Sequence, residues 1–414
     1  MAGTQITGVT GRRVWDSRGR PTVEAEVELA SGAWGRAIAP AGASMGSGEA
    51  VDLRDGGEAF GGLDTKRAVS HVNSEIREAL CGRDGLDQEG ADAALIALDG
   101  TSNKRRLGGN AIIAASMAVL HAAAAHERTP LWRHLAGSEN VTIPVPEIQI
   151  FGGGAHASGR VDVQDFMIVC PNAVSFAQAL DRTAEVYRAA GKLLAERGLL
   201  QGVADEGGYW PAFASNEEAL EMLVRAIERA GFRPGEDVSI SLDIAASQLG
   251  SSGRYRLALE DRELGRDEMI ELLESWLRRF PIISVEDPLA EDDEEGFRTF
   301  TQRNGDRVQI IGDDFLVTND ERIRRAVAAG TCNAVLIKPN QAGTITETRT
   351  ALRTAQENGM RTILSARSGE TEDVTIAHLS VGWNAGQFKV GSFTRSERMA
   401  KWNEMLRIEE ALKR

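Results

Sequence analysis

A run of short apolar segments, each ending in a charged residue, constrains the fold of this chain more than any other feature of its sequence. Stretches with a helical pattern, such as NDERIRRAVAAG and TETRTALRTAQENGM, separate several of these segments. Alternating strands and helices predict a parallel sheet, and six or more such units predict a closed (β/α)8 barrel. The segments, with their charged residues, are SISLDIA (Asp243), IISVEDP (Glu286), VQIIGDD (Asp313), AVLIKPN (Lys338), RTILSAR (Arg367) and FKVGS (Lys389).

The charged residues at the strand ends predict where the function of such a barrel lies. In (β/α)8 barrels the loops at the carboxyl ends of the strands converge on one mouth, which carries the active site. Three carboxylates and three cations would therefore meet there. This combination predicts a metal site beside an anion site, which together form a catalytic pocket.

The chain before residue 136 has a different pattern and predicts a separate α+β capping domain. The segment TVEAEVELASGAWGRAIAP alternates with period two on either side of Ser31 and Gly32, which favours an antiparallel hairpin. A glycine-rich loop at 41–50 and apolar helical patterns follow it. A polar stretch and two prolines, Pro144 and Pro146, then punctuate the chain, so we predict domains at 1–136 and 137–414.

Composition excludes several classes of function. The chain has 414 residues and 42% hydrophobic residues, which suffices for a large core. Its net charge of -14 argues against nucleic acid as the main partner. A small anionic substrate remains compatible with this charge, because a local cluster of cations can reverse the field in one pocket.

Cysteine usage and hydropathy favour a cytoplasmic location. Cys81, Cys170 and Cys332 are odd in number, widely spaced and without a CxxC motif, which predicts free thiols rather than disulfides or zinc ligands. The first residues contain no apolar signal-peptide core, and no stretch of 18 apolar residues occurs. We therefore expect neither secretion nor membrane insertion.

The three acidic residues at strand ends predict a site for a hard cation. Asp243, Glu286 and Asp313 lie about one strand–helix unit apart, so their side chains could converge. Three oxygen ligands without histidine or cysteine favour Mg²⁺ over zinc. The alternative is that these acids cap the following helices or stay solvated.

Two lysines at strand ends are candidates for general-base or charge-stabilising roles. Lys338 follows an apolar strand in LIKPN, and Lys389 has a similar place in QFKVG. Burial and nearby cations lower a lysine pKa, which converts an ammonium into a usable base. Alternatively, each is a structural lysine paired with a barrel carboxylate.

Further polar residues complete the predicted pocket. Glu206 precedes two glycines in VADEGGYWP, where a carboxyl of raised pKa could act as an acid. Arg367 and Ser368 follow a strand and could bind a phosphate or carboxylate. His156 lies in FGGGAHASG, which matches neither a P-loop nor a dinucleotide motif, and it is either a pocket residue or an ordinary loop histidine. The whole set fits proton abstraction next to a carboxylate, with Mg²⁺ stabilising the enediolate.

Taken together, the motifs resemble the enolase family over nearly the whole chain. Their number and order make the resemblance specific. It implies an enolase-type (β/α)8 barrel with an N-terminal α+β cap, and a Mg²⁺-dependent enzyme that removes the α-proton of 2-phosphoglycerate or a close analogue to give an enolpyruvate. The motifs are WDSRGRPTVEAEV, GAS, LDGTSNK, VDVQDFM, ADEGGYWP, SLDIAAS, VEDPLAEDD, GDDF, IKPNQAGTITET, RSGETED and KVGSFTRSER.

The resemblance also implies roles for individual residues. Two Mg²⁺ sites are expected, the second forming with substrate. The implied metal ligands are Asp243, Glu286 and Asp313 for the first ion and Ser44 for the second. The implied catalytic residues are Lys338 as base, Glu206 as acid and Asp165 beside them. The implied substrate-binding residues are Lys389, Arg367, Ser368, His156 and Gln164.

Several positions depart from the family pattern. Ala366 stands where a histidine is usual, Asp165 where a glutamate is usual, and Gly152 where an asparagine is usual. Ala41 and Met45 replace hydroxyl residues of the family's mobile loop. Each change removes or shortens a polar group, so we expect a larger and less polar pocket.

These departures favour a specialised paralogue over a housekeeping enolase. Carboxyphosphonoenolpyruvate synthase, from phosphonate biosynthesis, is an enolase-like variant of this kind. The alternatives are an enolase that converts 2-phosphoglycerate to phosphoenolpyruvate and a non-catalytic binding protein on the same scaffold. Arg18, in WDSRG, resembles the family's dimer contact, so we expect a homodimer or larger homo-oligomer.

Overall fold

The N-terminal part of the chain forms a small antiparallel sheet covered by helices. The structure is a computed structural model that describes residues 3–43 and 45–414. Strands β1 (Ile6–Trp15), β2 (Pro21–Leu29) and β3 (Trp34–Ile38) pair in that order, and Glu28 lies opposite Trp34. This pairing confirms the predicted hairpin.

The helices of this part pack on one face of the sheet. Helix α4 (Gly109–Glu127) is buried along most of its length and lies against β2 and β3. Among the described helices, only α4 is long and apolar enough to cross a membrane, and its burial identifies it as a core helix. The helices are α1 (Lys66–His71), which continues through a π turn (Val72–Ile76) into α2 (Arg77–Leu80), then α3 (Gln88–Asp99), α4 (Gly109–Glu127) and α5 (Leu131–Ala136).

The rest of the chain forms a closed eight-stranded barrel, as predicted. All six apolar segments identified in the sequence are strands of it. The barrel strands are β4 (Val145–Gly152), β5 (Asp165–Val169), β6 (Ser239–Asp243), β10 (Ile282–Glu286), β11 (Gln309–Gly312), β12 (Ala334–Ile337), β13 (Arg361–Ser365) and β14 (Gln387–Ser392). A separate small sheet contains β7 (Gly250–Ser251), β8 (Arg254–Leu257) and β9 (Arg262–Gly265).

The expectation of an all-parallel barrel is wrong for one strand. Strand β5 runs antiparallel to both of its neighbours, β4 and β6. The segment that joins β4 to β5 contains only a short 3-10 turn, Gly154–Ala157, and no α-helix crosses back over the barrel. Without such a crossover the chain reverses direction, which makes the pair antiparallel.

Helices surround the barrel. Helix α14 (Ser396–Leu412) packs on the barrel: Trp402 is fully buried and donates from Nε1 to the carbonyl of Ser392 at 3.0 Å. The helices are α6 (Phe176–Glu196), α7 (Asn216–Arg229), α8 (Arg266–Arg279), α9 (Glu294–Asn304), α10 (Asp320–Ala329), α11 (Pro339–Ala342), α12 (Ile345–Glu357), α13 (Thr375–Gly382) and α14 (Ser396–Leu412).

Polar contacts join the N-terminal part to the barrel. Asp92 accepts from the backbone and hydroxyl of Thr346 at 2.9 and 2.6 Å, and Lys104 Nζ lies 2.5 Å from Glu347 Oε1. These contacts meet the first turn of α12. The domain boundary between residues 136 and 137 stays a prediction. All three cysteines are free thiols, as expected.

Candidate active site at the barrel mouth

The barrel brings the predicted charged residues to the carboxyl ends of its strands. Asp243 and Glu286 are the last residues of β6 and β10 and lie opposite each other in the sheet. Asp165 begins the antiparallel strand β5 and is also paired with Asp243, because a reversed strand contributes its first residue to this end. All three side chains are buried.

Lys389 lies among these carboxylates. Its Nζ is 2.7 Å from Glu286 Oε2, 3.0 Å from Asp243 Oδ2 and 3.6 Å from Asp165 Oδ2. Burial disfavours the ammonium, but the facing carboxylates outweigh it and raise the pKa of Lys389 well above its ordinary value. Lys389 is therefore a fixed positive charge at the mouth.

Lys338 donates to Asp313 in a second buried pair. Burial lowers the pKa of Lys338, yet the Asp313 carboxylate more than compensates, so the pKa is raised. The predicted lowering of the Lys338 pKa is therefore wrong while Lys338 is paired with Asp313. Both lysines are paired with barrel carboxylates, as the structural alternative required, and both face the mouth.

The acidic residues leave room for a cation. Burial and the neighbouring Asp243 raise the pKa of Glu286 well above its ordinary range. Glu286 Oε1 is buried and has no hydrogen-bond partner within residues 3–43 and 45–414. A hard divalent cation fits such a set, because it would supply the missing contact and offset the repulsion between the carboxylates.

Two acidic residues that the sequence analysis did not select lie next to Asp313. Oxygen atoms of Asp287, Asp313 and Asp314 all lie within 4.8 Å of one another. Asp287 accepts from the backbone of Asp313 at 2.9 Å and of Asp314 at 2.8 Å, so it ties β10 to the end of β11. The paired acidic residues in VEDP and GDD were the sequence signal that could have identified Asp287 and Asp314. Ser44, the predicted ligand of a second ion, lies outside the described residues.

His156, Asp165 and Glu206 form a second buried group at the mouth. His156 Nδ1 is 3.1 Å from Asp165 Oδ1, and its Nε2 is 3.8 Å from Glu206 Oε1. Burial opposes the imidazolium, but Glu206 and Asp165 raise the pKa of His156 to about 9. Burial also raises the pKa of Glu206, which is the direction required of a proton donor.

Arg367 is held by residues that sequence analysis missed. Its Nη1 lies 2.9 Å from Glu49 Oε2 and 3.1 Å from Asn340 Oδ1. The Ser368 hydroxyl accepts from the backbone of Ala43 at 2.7 Å. Glu49 lies near the end of the glycine-rich loop at 41–50. Its ion pair therefore holds this loop against Arg367, one of the two predicted anion-binding residues.

A small cleft opens between these groups. Gln164 faces it and donates to Asp243 at 2.8 Å. The cleft is lined by His156, Gln164, Glu206, Asp243, Lys338, Ser365, Ala366, Arg367, Ser368, Lys389 and Val390. The structure thus gathers the candidates for base, acid and anion binding around one small space, while their individual roles stay predictions.

The positions that depart from the family pattern do not all line this cleft, contrary to our expectation. Ala366 lines it, but Gly152 does not: a Cβ there would lie 2.5 Å from the Cβ of Ala204. Ala41 is buried in backbone pairing with Gly369, and Met45 is 63% exposed. The expectation of a pocket enlarged by all of these substitutions is therefore wrong, because Ala366 is the only altered position among the residues that line the cleft in the described part of the chain.

Comparisons with known proteins cover the whole chain. Residues 6–135 match the family described as "Enolase, N-terminal domain", and residues 140–414 match "Enolase, C-terminal TIM barrel domain". The chain is 49% identical over 415 aligned positions to "Enolase 1" of Desulfitobacterium hafniense (strain Y51), which covers 100% of this chain and 95% of that protein.

Proposed function

The chain belongs to the enolase family along both of its domains, and from this premise we propose that it removes water from 2-phosphoglycerate to give phosphoenolpyruvate. The observation that carries the proposal is the cleft itself. Lys338, Lys389 and Glu206, whose pKa is raised by burial, all line it. A base and an acid around one small cleft suit the loss of a proton and a hydroxyl from adjacent carbons.

Each group has a defined task in this proposal. Lys338 removes the proton next to the substrate carboxylate. Lys389, fixed as a cation, neutralises the carboxylate and the charge that develops on it. Glu206 donates a proton to the departing hydroxyl, and Arg367 with Ser368 binds the phosphate.

The residues at the mouth fit Mg²⁺, which the family uses. Asp243, Glu286 and Asp313 would hold it, and Ser44 is the proposed ligand of a second ion. A bound ion would supply positive charge to stabilise the enediolate, and Asp313, which now pairs with Lys338, would be one of its ligands. The repulsion that raises the pKa of Glu286 supports this assignment.

A specialised paralogue that acts on a related phosphorylated or phosphonate substrate remains a second candidate. Ala366 favours it, because this residue lines the cleft where the family usually places histidine. The 49% identity along the full chain to a protein named as an enolase favours the first candidate. A non-catalytic role has less support, since the base, the acid and the predicted metal ligands are all retained.

Turnover of 2-phosphoglycerate with Mg²⁺, followed by the absorbance of the enolic product, tests the proposal. We expect a kcat of about 1–10³ s⁻¹, the ordinary range for enzymes. A negligible rate with continued exchange of the α-proton in D₂O would overturn the proposal and support the specialised paralogue. Loss of both activities would favour the binding role.

We further propose a cytoplasmic homodimer. Arg18 itself is a poor contact residue, because its side chain is 6% exposed and binds Asp16 and the carbonyl of Ala41 within the same chain. The nearby Trp15 is 49% exposed and packs edge-on against Phe60, which is 46% exposed. Light scattering on the wild type and on Trp15→Ala tests whether this surface joins two copies.

A further inference from the structure

A second and larger cavity lies between the N-terminal part and the barrel, away from the mouth. Its volume is about 350 Å³, and it shares no lining residue with the cleft at the mouth. The beginning of α3, one face of α12 and Trp383 after α13 contribute to its wall. The proposed reaction uses none of these residues.

Two arginines on one face of α12 line this cavity. Arg349 makes no hydrogen bond or ion pair with any residue in the described part of the chain, and its Nε is buried without a partner. Arg353, one helical turn later, has only a 3.8 Å contact with Glu139, and both of those side chains are more than half exposed. Like charges four residues apart on a helix repel each other.

The surroundings of Arg349 compensate its charge only in part. Burial lowers the pKa of Arg349 and the neighbouring Arg353 lowers it further, while the more distant Glu89 and Glu139 oppose this shift. A partly buried guanidinium is usually paired directly with a carboxylate or phosphate. An anion between the two arginines would offset their repulsion and supply this pairing.

The wall around the two arginines also contains apolar residues and further polar atoms without partners in the described residues. Trp383 is 6% exposed, and its indole Nε1 has no acceptor among the described residues. Gln88 Oε1 is likewise buried without a donor. Leu120 and Ile345 are buried beside them in the same wall. Buried polar atoms without partners are uncommon in folded proteins and call for an explanation.

We propose that this cavity is a binding site for a small organic anion, whose carboxylate or phosphate group lies between Arg349 and Arg353 and whose carbon skeleton packs against Trp383, Leu120 and Ile345. Asp87 and Glu89 at the rim disfavour extended polyanions such as nucleic acid. The site is independent of the proposed reaction. Because its wall comes from both parts of the chain, bound ligand stabilises their contact.

Binding of two probes tests the proposal. Binding of benzoate is measured by saturation-transfer NMR, and binding of inorganic phosphate by titration calorimetry. Both are measured on the wild type and on two double variants, Arg349→Gln/Arg353→Gln and Arg298→Gln/Arg303→Gln. The last variant is the matched control, since it removes two exposed arginines from α9, outside the cavity. Arg367→Gln separates binding at the barrel mouth from binding here.

We expect at least one probe to keep binding to Arg367→Gln, outside the barrel mouth, and to bind the control as it binds the wild type. Arg349→Gln/Arg353→Gln should weaken that binding by about tenfold or more, because each charge-assisted hydrogen bond contributes about that factor. Benzoate alone would identify a carboxylate ligand and phosphate alone a phosphorylated one. Trp383→Phe should weaken benzoate binding without changing the fold.

The proposal is overturned if neither probe binds outside the barrel mouth. It is also overturned if the two double variants bind a probe equally well. Thermal melting of every variant shows whether a lost signal reflects unfolding instead of a lost site, and Trp383→Phe, which alters no charge, provides a second route to the same conclusion.

Discussion

Lys338 donates to Asp313 and faces the cleft, so it could serve structure, chemistry or both. The substitution Lys338→Arg separates these roles, because arginine keeps the positive charge for Asp313 but stays protonated and cannot act as a base. We expect kcat to fall by about 10²–10⁴-fold, the usual contribution of a general base. Exchange of the α-proton in D₂O should fall in parallel, with little change in Tm.

A purely structural lysine would give the opposite pattern. Lys338→Arg would then keep its activity, whereas Lys338→Ala would lose stability by leaving Asp313 buried without a partner. Comparing the Tm values and exchange rates of the two variants therefore assigns the role of this residue.

His156 should make the stability of the protein depend on pH. Its folded pKa is raised from 6.5 to about 9 because Glu206 and Asp165 stabilise the imidazolium despite burial. This stabilisation is fully present below pH 6.5 and is lost as pH rises through about 9. The difference in unfolding free energy between wild type and His156→Gln should therefore shrink over that range, by roughly 3 kcal/mol at most.

Urea denaturation of both proteins at several pH values, with a chelator present, measures this difference. His126→Gln is a suitable control, because His126 is only half-buried and its Nδ1 lies 2.8 Å from the hydroxyl of Ser31. A constant difference between wild type and His156→Gln would show that His156 is not held as a cation.

At the scale of elements, β3 and α4 approach each other so closely that only glycine fits at position 35. A Cβ on Gly35 would lie 2.1 Å from the backbone N of Ala122 and 2.4 Å from the carbonyl of Ala118. Since backbone atoms cannot rotate away, we expect Gly35→Ala to destabilise the protein by about 3 kcal/mol or more. Gly8→Ala is the matched control, because its Cβ would meet only the Glu28 side chain, at 3.6 Å.

Chemical denaturation of the two variants tests this packing. Equal midpoints for Gly35→Ala and Gly8→Ala would mean that the sheet and helix can separate at little cost. A large loss confined to Gly35→Ala would show that α4 is fixed against the hairpin.

Six of the eight barrel strands were predictable because each is a short apolar run with a charged residue within it or shortly after it. The direction of β5 was not, since the sequence between β4 and β5 carries no periodic signal that separates a crossover from a reversal. Local sequence patterns also could not predict which side chains contact one another in the site. Glu49 and Arg367 lie 318 positions apart, and only the folded chain brings their side chains together. The same holds for Asp287, because the sequence around an aspartate does not show whether its carboxylate binds an ion or joins two strands.

At the scale of the whole molecule, the mouth of the barrel also links the two parts of the chain. Glu49 belongs to the N-terminal part and Arg367 to the barrel, and both side chains are buried. Ile38, at the end of β3, donates to Asp373 at 2.9 Å. Occupation of the mouth by ligands should therefore stabilise the whole chain and not the barrel alone.

Mg²⁺ provides the direct test of that coupling. A ligand that binds only the folded state at 100 times its Kd stabilises the protein by about 2.7 kcal/mol. We expect Mg²⁺ to raise Tm in a single transition, and a chelator to reverse the shift. Glu286→Gln should abolish it by removing a buried ligand charge, whereas Glu228→Gln, at an exposed position on α7, should not. Two separate transitions, with only one moved by Mg²⁺, would show instead that the barrel binds the ion without support from the N-terminal part.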